Sequence, residues 1–460
     1  MTDLSLSYLR THCGPSELPY SVNPAVRFTS ITNDSRTVEP GALFVAIESD
    51  RDGHNFIADA YRKGARGVLA RRQIPLDDWL PFDHREQFAY IVVPDPTVGL
   101  QEVARAHRAE HEVGVIGIVG SVGKTSTKEA IAQVLRLQYS VLASPGNFNN
   151  EIGLPIALLD LTWEHDRAIL EMGAYKIGEI ARLCEIADPQ MAIVTNLGPT
   201  HLESFGSMAA IEQAKGEIFD ALPETGLAIL NGDDDRVRRM LLRANCPVVL
   251  YGLSELNTVR AVDLQTHGLR GISFDLIHPG GLTPIVSPLI GRHSVYACLA
   301  AAAVALADDF EPRVLVDAFA AQPTRLRLAP RPGRNNSIVL DDAYNAAPIS
   351  MIAALDVLAE HSGRRVAILG DMLELGEVEM EGHQMVGAHV PGRVDLLITI
   401  GRRARIIGEA AEAAGMRSVI HVGATSDLEF EPAEGDLILV KASRGMQLEK
   451  VVARLVEGNS

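Results

Sequence analysis

An α/β protein of three domains is what three observations predict. Strand-like and helical runs alternate along most of the chain, a glycine-rich loop separates a β-rich run from a helical one between 113 and 137, and 460 residues exceed one ordinary domain, about three being expected from length. Hydrophobic residues make up 47% of the sequence, enough for real cores, and no segment is biased toward disorder. The formal net charge of -17 repels nucleic acid and anionic lipid, so neither is expected as a partner, while a local basic cleft for a small anion stays compatible with it. Cys13, Cys184, Cys246 and Cys298 lie far apart with no CxxC pair, which reads as reduced thiols of a cytoplasmic protein. The N-terminus lacks the basic and apolar blocks of a secretory signal. The longest charge-free apolar run, 295–307, is well short of the roughly 20 residues that span a bilayer, so a buried helix and no stable membrane insertion are expected.

The glycine-rich loop carries the chemistry. Val113, Val115, Ile116, Ile118 and Val119 form a short β-rich run, Gly120-Ser121-Val122-Gly123-Lys124-Thr125 follows, and Ile131, Val134 and Leu135 then recur at helical spacing. In that order the loop N–H groups turn toward a phosphate and the helix N-terminus adds partial positive charge. Lys124 reaches the terminal phosphates and the Thr125 hydroxyl is placed for Mg²⁺. The general pattern wants a glycine at Ile118; here the glycines fall at Gly117 and Gly120. A nucleoside triphosphate site is the expectation, the alternative being a tight turn with a surface lysine.

Taken in order, residues 1–108 hold short strands and turns. Leu43 to Ile47 and Gly67 to Ala70 read as strands, Ile57 to Lys63 and Val98 to Arg108 as helices. The polar clusters Asn33-Asp34-Ser35-Arg36 and Asp52-Gly53-His54-Asn55 fit turns and helix caps as well as sites. From 109 to 322 strand and helix alternate, which argues for a mainly parallel sheet covered on both faces. Three strands there stop at polar residues, namely Glu171, Thr195-Asn196 with His201 soon after, and Asn231-Gly232-Asp233-Asp234. Ligands of open α/β sheets sit at the carboxyl ends of strands, so Glu171 and His201 can converge on the nucleotide; the bland alternatives are a glutamate leaving the core and a structural histidine. The aspartate run 233–235 lacks calcium-loop spacing and reads as a turn.

Pro323, Pro330, Pro332 and Gly333 mark a linker threaded by Arg325, Arg327, Arg331 and Arg334, a solvated connector or a substrate-facing one. From 323 to 460 a second α/β alternation has strands at 338–340, 366–369, 396–400, 419–422 and 437–440. Asp341-Asp342-Ala343-Tyr344-Asn345, Gly370-Asp371, Gly401-Arg402 and Lys441-Ala442-Ser443-Arg444 follow four of them. No GxGxxG follows any, so a dinucleotide domain is not supported.

Assembled, these stretches resemble the Mur ligases over nearly the whole chain. Asp34-Ser35-Arg36, Pro40 to Ala46 and Asp52-Gly53-His54 are similar to the family's first domain. Gly120 to Thr125, Gly146-Asn147-Phe148-Asn149-Asn150 with Gly153-Leu154-Pro155, Glu171 to Ala174, and Thr195-Asn196 through His201 to Glu203 match its ATP domain. Asp341 to Pro348, Leu369 to Gly376 and Val440 to Arg444 resemble the members that join D-alanyl-D-alanine to the UDP-N-acetylmuramoyl tripeptide.

The resemblance implies a small α/β UDP-substrate domain (1–108), a central P-loop ATPase domain with a mainly parallel sheet (109–322), and a C-terminal Rossmann-like α/β domain that binds the incoming dipeptide (323–460). It implies ATP and Mg²⁺ as cofactors, with Thr125 and Glu171 on one ion, His201 at a second, and Lys124 on the γ-phosphate. Lys215 matches the lysine that the family carbamylates. Gly120, Ser121, Gly123, Ser126, Asn150, His293, Asp342 and Asn345 are implied at the nucleotide. Ser35, Arg36, His54, Tyr344, Asn345, Lys441, Ser443 and Arg444 are implied at the substrates, UDP-linked muramoyl peptide and D-Ala-D-Ala. A monomer that closes by a hinge at 323–334 is expected.

Several positions depart from the family pattern. Ser294, Ala297 and Ala347 stand where asparagines are usual, and Ala442 and Ser49 where glycines are. Two other readings therefore stay open: a related amide ligase with a different amine acceptor in another pathway, and a nucleotide-binding protein that has lost ligase activity. Retention of Lys124, Thr125, Glu171, His201 and Lys215 speaks against the latter.

Overall fold

The computed structural model describes residues 4–321 and 328–456. Its first unit is a four-stranded parallel sheet in sequential order, Ile31–Thr32, Leu43–Ala46, Gly67–Ala70 and Ala89–Val92. A small antiparallel pair, Leu4–Ser5 with Arg27–Phe28, flanks it. The helix Pro96–Glu110 leads out of this sheet; Asp95 caps it by accepting the Thr97 and Val98 N–H groups, and Pro96 supplies a pre-set first turn. One hydrophobic cluster runs from Phe28 and Leu43 through Leu100 and Val103 of that helix to Leu170 and Val194. The first two units thus share a core.

The central sheet has nine strands, ordered Gly281–Ser287, Ile272–His278, Val259–Thr266, Val248–Gly252, Leu227–Asn231, Met191–Val194, Gly114–Val119, Arg167–Glu171 and Val141–Ala143. From Gly114–Val119 the chain first winds toward one edge, then returns to place Met191–Val194 on the other side. That reversal opens a crevice at the carboxyl end of Gly114–Val119, where the glycine-rich loop begins.

The sheet is less uniform than the sequence pattern suggests. Residues 259–287 form an antiparallel meander with no intervening α-helix. Ile272–His278 alternates buried and half-buried residues along its length, the mark of a strand covered on one face. Gly271 and Gly281, at φ 103° and 128°, make its turns. Of the remaining strands, Gly114–Val119, Arg167–Glu171, Met191–Val194 and Leu227–Asn231 are buried beyond their first residues because helices cover both faces. On one face the helix Val295–Ala307 packs against Lys124–Leu135, its run of alanines letting the two backbones approach.

The third unit is a six-stranded sheet, ordered Ala329–Pro332, Ile338–Asp342, Leu437–Lys441, Arg365–Gly370, Leu396–Ile400 and Val419–Val422. The expected connector is here corrected: 329–332 is an antiparallel edge strand on Ile338–Asp342. Proline is tolerated on an edge, where its missing donor costs no ladder bond. Arg331 and Arg334 pair with Asp341 (3.2 Å) and Glu431 (3.4 Å), so local carboxylates account for both. Pro323, Arg325 and Arg327 lie outside the described residues. The four cysteines are free thiols, and no described helix is long and apolar enough to cross a membrane.

Close packing of the alanine-rich helix generates a stability test. Ala300, with no exposed surface, has no room for a larger side chain, so Ala300→Leu should cost about 1–3 kcal/mol, read as a lower thermal midpoint by circular dichroism.

Candidate active site

The glycine-rich loop is held by the neighbouring strand end rather than by its own residues. Asn196 clamps Val122 from both sides, its Oδ1 accepting the Val122 N–H and its amide donating to the Val122 carbonyl, each at 2.8 Å. The Thr195 hydroxyl donates to the same carbonyl at 2.7 Å, and Ser121 exchanges hydrogen bonds with Gly198 at 2.9 Å. Gly120 is required where it stands: φ is 150°, and a Cβ there would lie 1.9 Å from Thr195 Oγ1. Gly123, at φ 86°, turns the chain into the helix Lys124–Leu135, whose first turn carries Thr125 and Ser126. The N–H groups at this helix start suit an anion.

Two lysines converge on one backbone oxygen. Lys124 Nζ donates to the Gly120 carbonyl at 2.8 Å, and Lys215 Nζ, from the helix Met208–Ala221, donates to it at 3.1 Å. Lys215 is 2% exposed. Burial, and then the positive charge of Lys124, push its pKa well below the usual lysine value. On the other side the Thr125 hydroxyl donates to Glu171 Oε2 at 2.8 Å, and Asn149 Nδ2 donates to Glu171 Oε1 at 2.9 Å. The same Asn149 accepts the Gly173 N–H on its main-chain carbonyl at 2.7 Å, tying its loop to the strand end.

His201 begins the helix Leu202–Phe205 in a left-handed conformation, φ 55°. Its Nδ1 meets the Glu374 carboxylate from the third unit, and Tyr175 packs edge-on against its ring with centroids 4.5 Å apart. Desolvation lowers its pKa, Glu374 opposes this, and Lys124 and Lys215 add to it. A second interdomain contact lies beside the loop, where a Cβ on Gly198 would stand 3.6 Å from Ile349 Cδ1. The third unit therefore faces the crevice.

That unit brings its own cluster to the carboxyl ends of its strands. Lys441, 2% exposed, donates to Asp342 Oδ2 and, at 2.9 Å, to the Asn345 carbonyl. Asp342 Oδ1 is buried without a hydrogen-bond partner, a cost that an incoming donor would relieve. The guanidinium of Arg444 lies over the Tyr344 ring, 4.7 Å from its centroid. His293, across the crevice, is held below the usual histidine pKa by desolvation, with Asp342 opposing and Lys441 assisting.

Other expected site residues make local contacts. His54, expected at the substrate, is 1% exposed; its Nδ1 lies 2.7 Å from Asp52 and 3.2 Å from Arg72, so it braces its own loop. Ser35 is buried, its carbonyl accepting Lys63 Nζ, whereas Arg36 is exposed beside Asp34 at 2.7 Å. Asn150 Oδ1 accepts the Ile152 and Gly153 N–H groups at the start of the helix Gly153–Leu158, so it acts as a cap. The Ser443 hydroxyl accepts the Leu373 N–H at 2.8 Å and is 5% exposed, a brace between two loops. Asn149, Tyr175 and Glu374 were not singled out from the sequence. The expectation fell on Asn150 rather than its identical neighbour, and Glu374 and Asn149 lie inside matched stretches without a role of their own being read from them.

The departures are accommodated locally. The Ser294 hydroxyl donates to the Ile290 carbonyl at 2.7 Å, and Ala297 is buried. Ala347 cannot cap the helix Pro348–Ala359; Ser350 Oγ instead accepts the Ala347 N–H at 3.0 Å. Ala442 packs on Gly370, where a Cβ would be only 2.7 Å from the Ala442 methyl. The Ser49 N–H is satisfied within its turn by the Arg51 carbonyl.

Asn149 orients Glu171, so Asn149→Ala should lower nucleotide-dependent turnover about 10- to 100-fold while leaving the thermal midpoint nearly unchanged, as measured by steady-state kinetics and calorimetry.

Comparison with known proteins places this geometry. Residues 118–305 match the Mur ligase middle domain, and 324–444 match the Mur ligase, glutamate ligase domain. The UDP-N-acetylmuramoyl-tripeptide--D-alanyl-D-alanine ligase of Escherichia coli is 36% identical, over 95% of each chain. Its Bacillus subtilis counterpart is 35% identical, over 93% of each. Among solved structures, MurF from Acinetobacter baumannii superposes with a TM-score of 0.83 at 28% identity, over 99% of each chain. MurF from Thermotoga maritima in complex with ADP gives 0.77 at 28% identity, over 92% of this chain and 96% of that one. The chain belongs to the Mur ligase family of ATP-dependent amide ligases of peptidoglycan synthesis.

Proposed function

We propose that this chain joins D-alanyl-D-alanine to a UDP-N-acetylmuramoyl tripeptide. The observation that carries the reading is the convergence of Lys124, Lys215, Thr125 and Glu171 at one loop, with the third unit brought to the same crevice through Glu374 on His201 and Ile349 beside Gly198. In this reading residues 1–108 hold the UDP-linked peptide, with the exposed Arg36 as its cation; 109–322 hold ATP; and 323–460 hold the dipeptide.

The peptide carboxylate attacks the γ-phosphoryl group, giving an acyl phosphate and ADP. The dipeptide amine then displaces phosphate and the amide forms. Lys124 and the loop N–H groups offset the charge that spreads over the transferring phosphoryl group, so catalysis is positioning and electrostatics. Closure of the third unit excludes water, which would otherwise hydrolyse the acyl phosphate.

Oxygen donors are what Mg²⁺ requires, and the Thr125 hydroxyl and Glu171 carboxylate, already in mutual contact, fit it. When bound there, Mg²⁺ supplies positive charge to the phosphates. Lys215 is suited to react with CO₂, because burial and Lys124 favour its neutral amine. The resulting carbamate exchanges a cation for an anion next to the loop. Since the lysine pKa is depressed, the reactive amine gains population as pH rises and is lost as pH falls through it.

ADP release measured with UDP-MurNAc-tripeptide, with and without D-Ala-D-Ala, tests the assignment. Turnover only with the dipeptide is expected; turnover with another amine and none with this one would reject it. Lys124→Ala should abolish turnover and keep the fold by circular dichroism. Lys215→Ala should be slow and partly restored by added short-chain carboxylic acids; an intact Lys215 mass in active enzyme kept in CO₂-containing buffer would contradict the carbamate.

A further inference from the structure

We infer that Glu374 is the seat of the dipeptide's ammonium group, with Arg444 receiving the carboxylate at the other end. The inference rests on the ligase reading above and extends it to a residue of the third unit.

A free dipeptide is a zwitterion, so a site that selects it needs one fixed anion and one fixed cation. The third unit presents both at one place. The Leu373 N–H donates to the Ser443 hydroxyl at 2.8 Å, which ties together the chain neighbours of Glu374 and Arg444. Gly445 approaches the same loop so closely that a Cβ would lie 2.9 Å from Leu373 Cδ1. Arg444 is exposed and rests on Tyr344, a planar support that fixes the guanidinium without neutralising it. Glu374 is half-exposed, with 46% of its side chain open, and it reaches across the crevice to His201 beside the loop that holds the nucleotide. Tyr175, 47% exposed, packs edge-on against His201: burial raises its pKa, and the charges of Glu374 and Glu179 and the Tyr344 hydroxyl add to the rise.

The backbone at Glu374 is the second observation. Its φ is 65°, a left-handed conformation that glycine adopts without strain and a glutamate does not. Two residues on, Gly376 has φ 57°, and there a Cβ would meet the Glu203 nitrogen at 3.0 Å, so glycine is sterically required. A carboxylate held in a strained turn, projecting into the crevice from the unit that receives the amine, is the kind of outlier that function explains.

The bland reading is an interdomain hydrogen bond to His201 that only holds the units together. Glu374→Gln separates the two, because the amide oxygen still accepts from His201 while the charge is gone. In the intact enzyme, Glu374→Gln should raise the KM for D-Ala-D-Ala about 10- to 100-fold and leave the KM values for ATP and UDP-MurNAc-tripeptide unchanged. Glu374→Gly should show the same KM effect with a thermal midpoint equal to or above wild type, since the turn is relieved. Wild-type turnover combined with an unchanged dipeptide KM in Glu374→Gln would overturn the ammonium seat and leave the ligase reading standing. A rise in all three KM values would likewise overturn it in favour of a structural contact. An idle wild-type enzyme with this dipeptide would overturn both.

Discussion

The carbonyl of Gly120 receives two ammonium groups, and much of the site follows from that crowding. Two like charges on one acceptor repel, and one of them, Lys215, is almost wholly removed from water. Such an arrangement is tolerable only if an anion arrives or one amine gives up its proton. Phosphate at the loop answers the first need, and the depressed pKa of Lys215 answers the second. Glycine at 120, the clamp of Asn196 and the pairing of Thr125 with Glu171 are the supports that keep the crowded oxygen where both lysines find it.

Most of the architecture was readable because parallel strands buried on both faces appear in sequence as uninterrupted apolar runs ending in polar residues. Gly67 to Ala70, Met191 to Val194 and Leu396 to Ile400 coincide with strands for this reason. The antiparallel meander at 259–287 was missed because its one-sided burial interleaves polar residues, and a run such as Ile272–His278 resembles a loop when a helix is expected next. The edge strand 329–332 was hidden by its two prolines, which signal a connector unless pairing on one side is known.

Site legibility divides along a different line. Residues whose role is set by local chain geometry, such as Gly120, Gly123, Lys124 and Thr125, follow from the strand–loop–helix order. Residues that act by reaching another segment do not. Asn149 and Asn150 are chemically identical neighbours, yet one reaches Glu171 and the other caps a helix. His54 and Ser443, both expected at the substrates, meet Asp52 and the Leu373 amide, contacts that no spacing in the sequence announces. Only the tertiary fold distinguishes these cases.

The continuous apolar cluster that passes through the helix Pro96–Glu110 has a mechanical corollary. Separating the first and middle units would expose Leu100 and Val103, whereas the third unit keeps its interior largely to itself. The seam at Ile349 and Gly198 can therefore part without baring either interior, so looseness in this molecule is concentrated on one boundary.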